Sequence, residues 1–140
     1  MKRFENFAAI EINWLCYGSG GAKNEESGSV TERFKYHSAP NHTLNRHIKS
    51  IVNPRRIFCF IGCHEAATIL SDSSADSHGA IVKKSFWDRE PQHDVIRINH
   101  YAVKSYEEFL AKRERGRART LGKRNLDYFE RFDLNQIKEQ

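Results

Sequence analysis

Cysteine is scarce in this chain: Cys16, Cys59 and Cys63 are all it has. An odd count gives no closed disulfide framework, and a reducing cytoplasm is the expected setting. Long apolar runs are also missing. The longest, Ile57 to Ile61, is far short of the roughly 20 residues a spanning helix needs, so any membrane association is expected to be peripheral. No basic, apolar and cleavage-site sequence precedes the first predicted strand, so no secretory leader is expected. Internal repeats and a recognisable domain boundary are absent too, and a single α/β unit is expected over residues 1–140.

What remains is a chain able to form a core. Of 140 residues, 39% are hydrophobic and 11% aromatic, which argues against disorder. The net charge of +5 is local, because Lys112 to Arg124 holds seven basic residues against one Glu. Such a cluster attracts a polyanion or a phosphate-bearing ligand.

Periodicity and punctuation place the elements. Phe7 to Tyr17 is β-branched and aromatic, and runs into Gly18-Ser19-Gly20-Gly21, so it reads as a buried strand entering a loop. Ser29 and Glu32 have capping-box spacing for a short helix to about Tyr36. His47 to Val52 and Arg56 to Ile61 read as strands, residues 64–79 as a polar loop, Ala80 to Phe86 as a strand, and Val95 to Tyr101 as a strand by alternation. Period two puts His100 on the face of Ile96 and Ile98. From Ser105 the period becomes helical: Tyr106, Phe109, Leu110 and Arg113 align, Glu107 and Glu108 occupy the first turn, and Gly116 ends the helix. A last helix is expected over Leu126 to Phe132, with Asp133 capping one more short turn. Residues 1–103 are thus mainly strands and loops, and 104–140 a helical tail.

Six blocks occur in order: Asn13-Trp14-x-x-Tyr17-Gly18-Ser19-Gly20-Gly21, Val30-x-Glu32-Arg33-Phe34, Lys49-Ser50-Ile51-Val52-x-Pro54, Ile98-Asn99-His100-Tyr101-x-x-Lys104-Ser105-x-Glu107-Glu108-Phe109, Lys112-x-x-Arg115-Gly116 and Tyr128-Phe129-Glu130. Together they resemble the C-terminal half of glycosyltransferase family 92 and related family 2-like enzymes, from about residue 5 to residue 135. The resemblance implies the acceptor-side half of a GT-A-like mixed sheet with flanking helices. It also implies transfer of a sugar from a nucleotide-sugar donor to a glycan or lipid-linked acceptor, aided by a divalent cation, Mn²⁺ or Mg²⁺. The N-terminal nucleotide-binding half with its Asp-x-Asp motif is not in this sequence, and Asp72, Asp76 and Asp88 do not supply it. Ala22 stands where the family loop has His. The chain is therefore expected to be incomplete or inactive alone, and an upstream half-domain is an implied partner.

The resemblance assigns roles. His100 would be the downstream cation ligand, and Lys104 would contact the donor diphosphate, since a divalent ion and a nearby ammonium spread the charge that grows on the leaving group. Trp14, Tyr17, Gly18, Ser19 and Gly20 would shape the acceptor pocket. Glu11 and Glu32 are the weak candidates for a base that deprotonates an acceptor hydroxyl, and the catalytic residue is left unassigned. Cys59 and Cys63 with His64 have one short spacing only, so buried free thiols are expected there in preference to zinc. The alternative function is a small basic, non-catalytic module for nucleic acid or anionic surfaces. That reading requires Lys112, Arg113, Arg117 and Arg119 on one exposed face, and no nucleic-acid module surrounds them.

Overall fold

Nine consecutive residues, Ala9–Tyr17, form the central strand β1, and every one except Ile10 is buried. β-Branched and aromatic side chains suit a strand covered on both faces. A computed structural model describes residues 2–69, 73–117 and 122–139. After β1 come α1 (Val30–Arg33), β2 (Tyr36–His37), β3 (Ile48–Val52), β4 (Ile57–Ile61), β5 (Glu65–Thr68), β6 (Ser74–Ala75), β7 (Ile98–Tyr101), α2 (Tyr106–Arg115), α3 (Asp127–Phe132) and β8 (Ile137–Lys138). The class is mixed α/β, with mostly antiparallel pairing and few helices. The chain divides into two compact units that interleave in sequence: Met1–Leu15 with Pro40–Ile98, and Cys16–Ala39 with Asn99–Gln140.

In the first unit, β1 pairs antiparallel with β3, from Ala9 opposite Val52 to Asn13 opposite Ile48. It also pairs in parallel with β6 through Ala9 and Ser74. Two polar residues interrupt its apolar face, and each is satisfied. Asn13 Nδ2 donates to the carbonyls of Asn45 and Arg46 at 3.2 Å, and its Oδ1 accepts the Gln92 amide at 3.2 Å. Glu11 accepts from the Arg89 guanidinium. Trp14 stacks on His47 at 4.6 Å, and the edge of Trp87 meets the same imidazole at 4.4 Å. β4 and β5 form a separate antiparallel hairpin with a bulge between Ile57 and Cys59. Its apolar side chains lie open, with Phe58 83% exposed.

In the second unit, the end of β1 pairs with β2 through Tyr17 and His37, and β2 pairs with β8. Tyr17, Phe34 and Phe109 are fully buried here. The Tyr17 ring lies 4.7 Å from Tyr101, and Phe109 lies 5.2 Å from Phe129 of α3. The Ser29–Glu32 capping box of α1 forms as the spacing predicts, and Ser105, the expected N-cap of α2, closes a second box with Glu108. Gly116 ends α2 at φ 84°, in the region that favours glycine.

Several elements differ from expectation. α1 stops at Arg33, because Tyr36 and His37 are drawn into pairing with β1 and β8. Residues 65–68 form a strand inside the expected loop. Ala80 to Phe86 makes only one bridge, Ile81 to Ala75, before a 3-10 turn over Phe86–Asp88. β7 begins at Ile98, since Val95 and Ile96 are exposed and the preceding segment is tied to β1 by side chains. The Gln92 amide donates to Asn13 Oδ1, and His93 Nε2 lies 2.7 Å from the Trp14 carbonyl oxygen. The inward face assigned to Ile96, Ile98 and His100 is thus real only from Ile98 onward. The expectation of buried thiols is corrected: Cys59 is exposed on β4, whose residues after Ile57 all lie open, and Cys63 is exposed in the turn that follows.

Asn13 is the polar pivot of the first unit. Asn13→Ala should cost about 2–3 kcal/mol, because it strands two main-chain carbonyls and one amide in the interior. Urea unfolding checks this, and a loss below ~0.5 kcal/mol would show that water replaces the side chain.

Candidate functional site

The second unit carries two concavities on different sides of α2. The smaller, about 330 Å³, lies between the end of β7 and α2, and is lined by Tyr101, Lys104, Glu108, Lys112, Arg115 and Glu25 among others. The larger, about 620 Å³, lies between the loop after β1 and the helices α2 and α3.

Lys104 is the structural singularity of the smaller one. It is the only non-glycine residue with positive φ among the described residues, at 60°. The turn lies between β7, which ends at Tyr101, and Ser105, which takes the extended N-cap conformation that starts α2. A left-handed lysine costs about 1 kcal/mol, and strain of this kind gathers at ligand sites. Its ammonium reaches Glu108 Oε1 at 3.1 Å.

Glu108 binds far more than Lys104. Arg33 pairs with it at 2.6 Å, and the Ser105 hydroxyl donates to it at 2.9 Å. Burial opposes its charge, but hydrogen bonds from Arg33, Lys104 and Ser105 outweigh that and hold the carboxyl down at about 2. Lys112 projects one helical turn further along the same side of α2 and donates to the Ala102 carbonyl at 2.6 Å. Burial lowers its pKa, and the neighbouring Arg124, Arg115 and Lys104 add to the effect. A half-buried ammonium ringed by like charge is a place where an arriving anion gains free energy.

The other predicted residues fall elsewhere. His100 is half-buried with its ring 6.1 Å from Phe132, and it lines neither cavity. Trp14 belongs to the first unit, where His47 covers one face and the Lys49 ammonium lies 5.9 Å from the ring. Tyr17 is core, its hydroxyl donating to Glu139 at 2.5 Å. Gly18 packs against the backbone of Leu134. Ser19 lines the larger cavity, and Gly20, at φ 62°, sits against the Tyr36 ring. Glu11 is paired with Arg89, and its pKa is raised because burial outweighs that ion pair. Glu32 is exposed and serves the Ser29 cap, whose hydroxyl lowers its pKa. Burial pushes the Cys16 thiol up to about 12. Among the described residues, no three His, Cys, Asp or Glu side chains are grouped to hold a metal ion.

Two site features were missed from sequence. Lys104, Glu108, Lys112 and Arg115 follow helical spacing from the turn before α2 along one side of it, a signal hidden by treating the Lys112 to Arg124 cluster apart from Lys104. Asp133 was taken as a helix cap, whereas its Oδ1 accepts the Ser19 amide at 2.6 Å and, with Asn135 on the Gly20 amide at 2.7 Å, fixes the glycine loop. Among the described residues, no helix is long and apolar enough to cross a membrane. No protein-family model matches the chain, and neither does any curated protein or solved structure.

Two outcomes are expected. A Cβ at Gly18 would fall 2.6 Å from the Leu134 carbonyl oxygen and 2.7 Å from its amide nitrogen, so Gly18→Ala should destabilise the fold by at least ~2 kcal/mol; a wild-type melting temperature would contradict this. Glu108 has a depressed pKa, so its stabilisation is full above the ordinary value of 4.5 and disappears as pH falls from there to about 2. On the order of 2 kcal/mol, after solvent screening, should be lost across that window. Urea titrations at pH 6 and pH 3 should show this loss in the native chain and a flatter response in Glu108→Gln.

Proposed function

We propose that this chain is the acceptor-side half of a GT-A-like glycosyltransferase, and that the basic concavity at Lys104 holds the diphosphate of a nucleotide-sugar donor. The supporting observation is the strained backbone of Lys104, which holds its ammonium at the rim of a concavity shared with Lys112 and Arg115. Lys104 is also the residue to which the sequence resemblance gives the diphosphate contact. Three cations and the two carboxylates of Glu25 and Glu108 line this concavity, and Arg33 engages Glu108 from outside the lining. The balance is positive, as a diphosphate requires.

The geometry supports the phosphate end of this reading and not the cation end. His100 rests against Phe132, and no three-ligand group stands beside it among the described residues. Among the described residues no group of side chains is assembled to hold Mn²⁺ or Mg²⁺, and in this reading the carboxylate ligands come from an Asp-x-Asp half. The part proposed for this chain is to bind and orient the donor phosphates and to present the acceptor.

The basic-module alternative is less well supported. Arg113 Nε donates to the Arg124 carbonyl, so this residue is half-buried and structurally engaged. Arg119 lies outside the described residues.

Calorimetric titration with pyrophosphate and with a uridine diphosphate tests the proposal. Binding should weaken about tenfold or more in Lys104→Met and Lys112→Met, as loss of one charge-assisted contact implies. It should also weaken as salt is raised. No binding at millimolar ligand, or equal affinity in both variants, overturns the phosphate assignment.

A further inference from the structure

The larger cavity of the second unit has a chemistry opposite to its basic neighbour. At about 620 Å³ it has the size of small-molecule sites. One wall is apolar and aromatic, built from Tyr106, Leu110 and Phe129. Tyr106 is 41% exposed, and Phe129 meets its ring at 5.1 Å and 88°. An edge-on neighbour fixes the tyrosine plane while leaving a flat surface open to a ligand.

The polar lining includes Ser19, Lys23, Asn24, Glu107 and Asp133. Asp133 uses Oδ1 for the Ser19 amide at 2.6 Å and the Asn135 side-chain amide at 2.9 Å. Among the described residues nothing bonds its Oδ2. Glu107 likewise engages the Glu25 amide through Oε2 at 2.6 Å. Two carboxylates against one lysine repel a phosphate and attract a neutral donor of hydrogen bonds. The ligand that suits an open aromatic face with carboxylate acceptors beside it has apolar C–H faces and hydroxyl edges.

We propose that this cavity binds a neutral saccharide, its C–H face lying on the Tyr106 ring and its hydroxyls donating to Asp133 and Glu107. The lining includes neither Trp14 nor Tyr17 and comes from the glycine loop, α2 and α3. Naming the saccharide as acceptor rests on the glycosyltransferase reading; its binding does not.

Saturation-transfer NMR on the full chain with maltotriose, cellotriose, mannotriose, chitotriose and galactobiose tests it, with pyrophosphate titrated separately. At least one sugar should receive transfer from aromatic protons. Tyr106→Ala should weaken that binding about tenfold, and Tyr106→Phe should retain it. The circular dichroism melt identifies any variant that fails to fold, and Glu107→Gln then probes the carboxylate proposed to accept a sugar hydroxyl and should also weaken binding. Absence of transfer to all five sugars overturns the saccharide site, and so does unchanged affinity in folded Tyr106→Ala. Pyrophosphate binding separates the two ideas: its presence without sugar binding sinks this cavity alone, and sugar binding without it sinks the donor reading alone.

Discussion

The carboxylate of Glu108 is the constraint on which the second unit is organised. It closes the Ser105 cap that starts α2, ties α1 to α2 through Arg33, and restrains the ammonium of Lys104. Burial penalises a charged carboxylate, and several donors more than compensate, so the group stays ionised at any ordinary pH. An uncompensated acid at this position would break three connections together, because each donor was placed to satisfy the same two oxygens.

One helix of ten residues separates two chemistries. Phe109 faces the core and lies against Phe129. Tyr106 and Leu110 border one cavity, and Glu108, Lys112 and Arg115 border the other. The 3.6-residue period gives three distinct directions in so short an element. On the function proposed above, a donor's phosphates and an uncharged acceptor would need sites of different polarity, and a helix between them would supply both.

Local rules were legible in the sequence and tertiary consequences were not. Ser29, Ser105 and Gly116 announced their caps, since capping depends on residues only a few positions apart. β1 could be read because its pattern is apolar on both faces. The left-handed turn at Lys104 has no composition signal, for lysine is not a residue that usually takes it. Tyr17 reads as a pocket aromatic beside glycines, yet burial against Tyr101 and Glu139 makes it core. Asp133 follows a helix and resembles a cap, although its partner Ser19 lies 114 residues away in the chain. The hairpin reads as interior from its apolar residues, and it is open because it pairs with only itself.

That open hairpin also determines how the molecule can be followed in solution. Cys59 and Cys63 stand exposed on it, whereas Cys16 is enclosed within β1 with a thiol that ionises only near pH 12. A maleimide fluorophore added to the unmodified chain will therefore couple at the hairpin and leave the central strand untouched. The natural sequence already carries a reporter confined to one of its two units, so opening of that unit can be read separately from events at the cavities of the other.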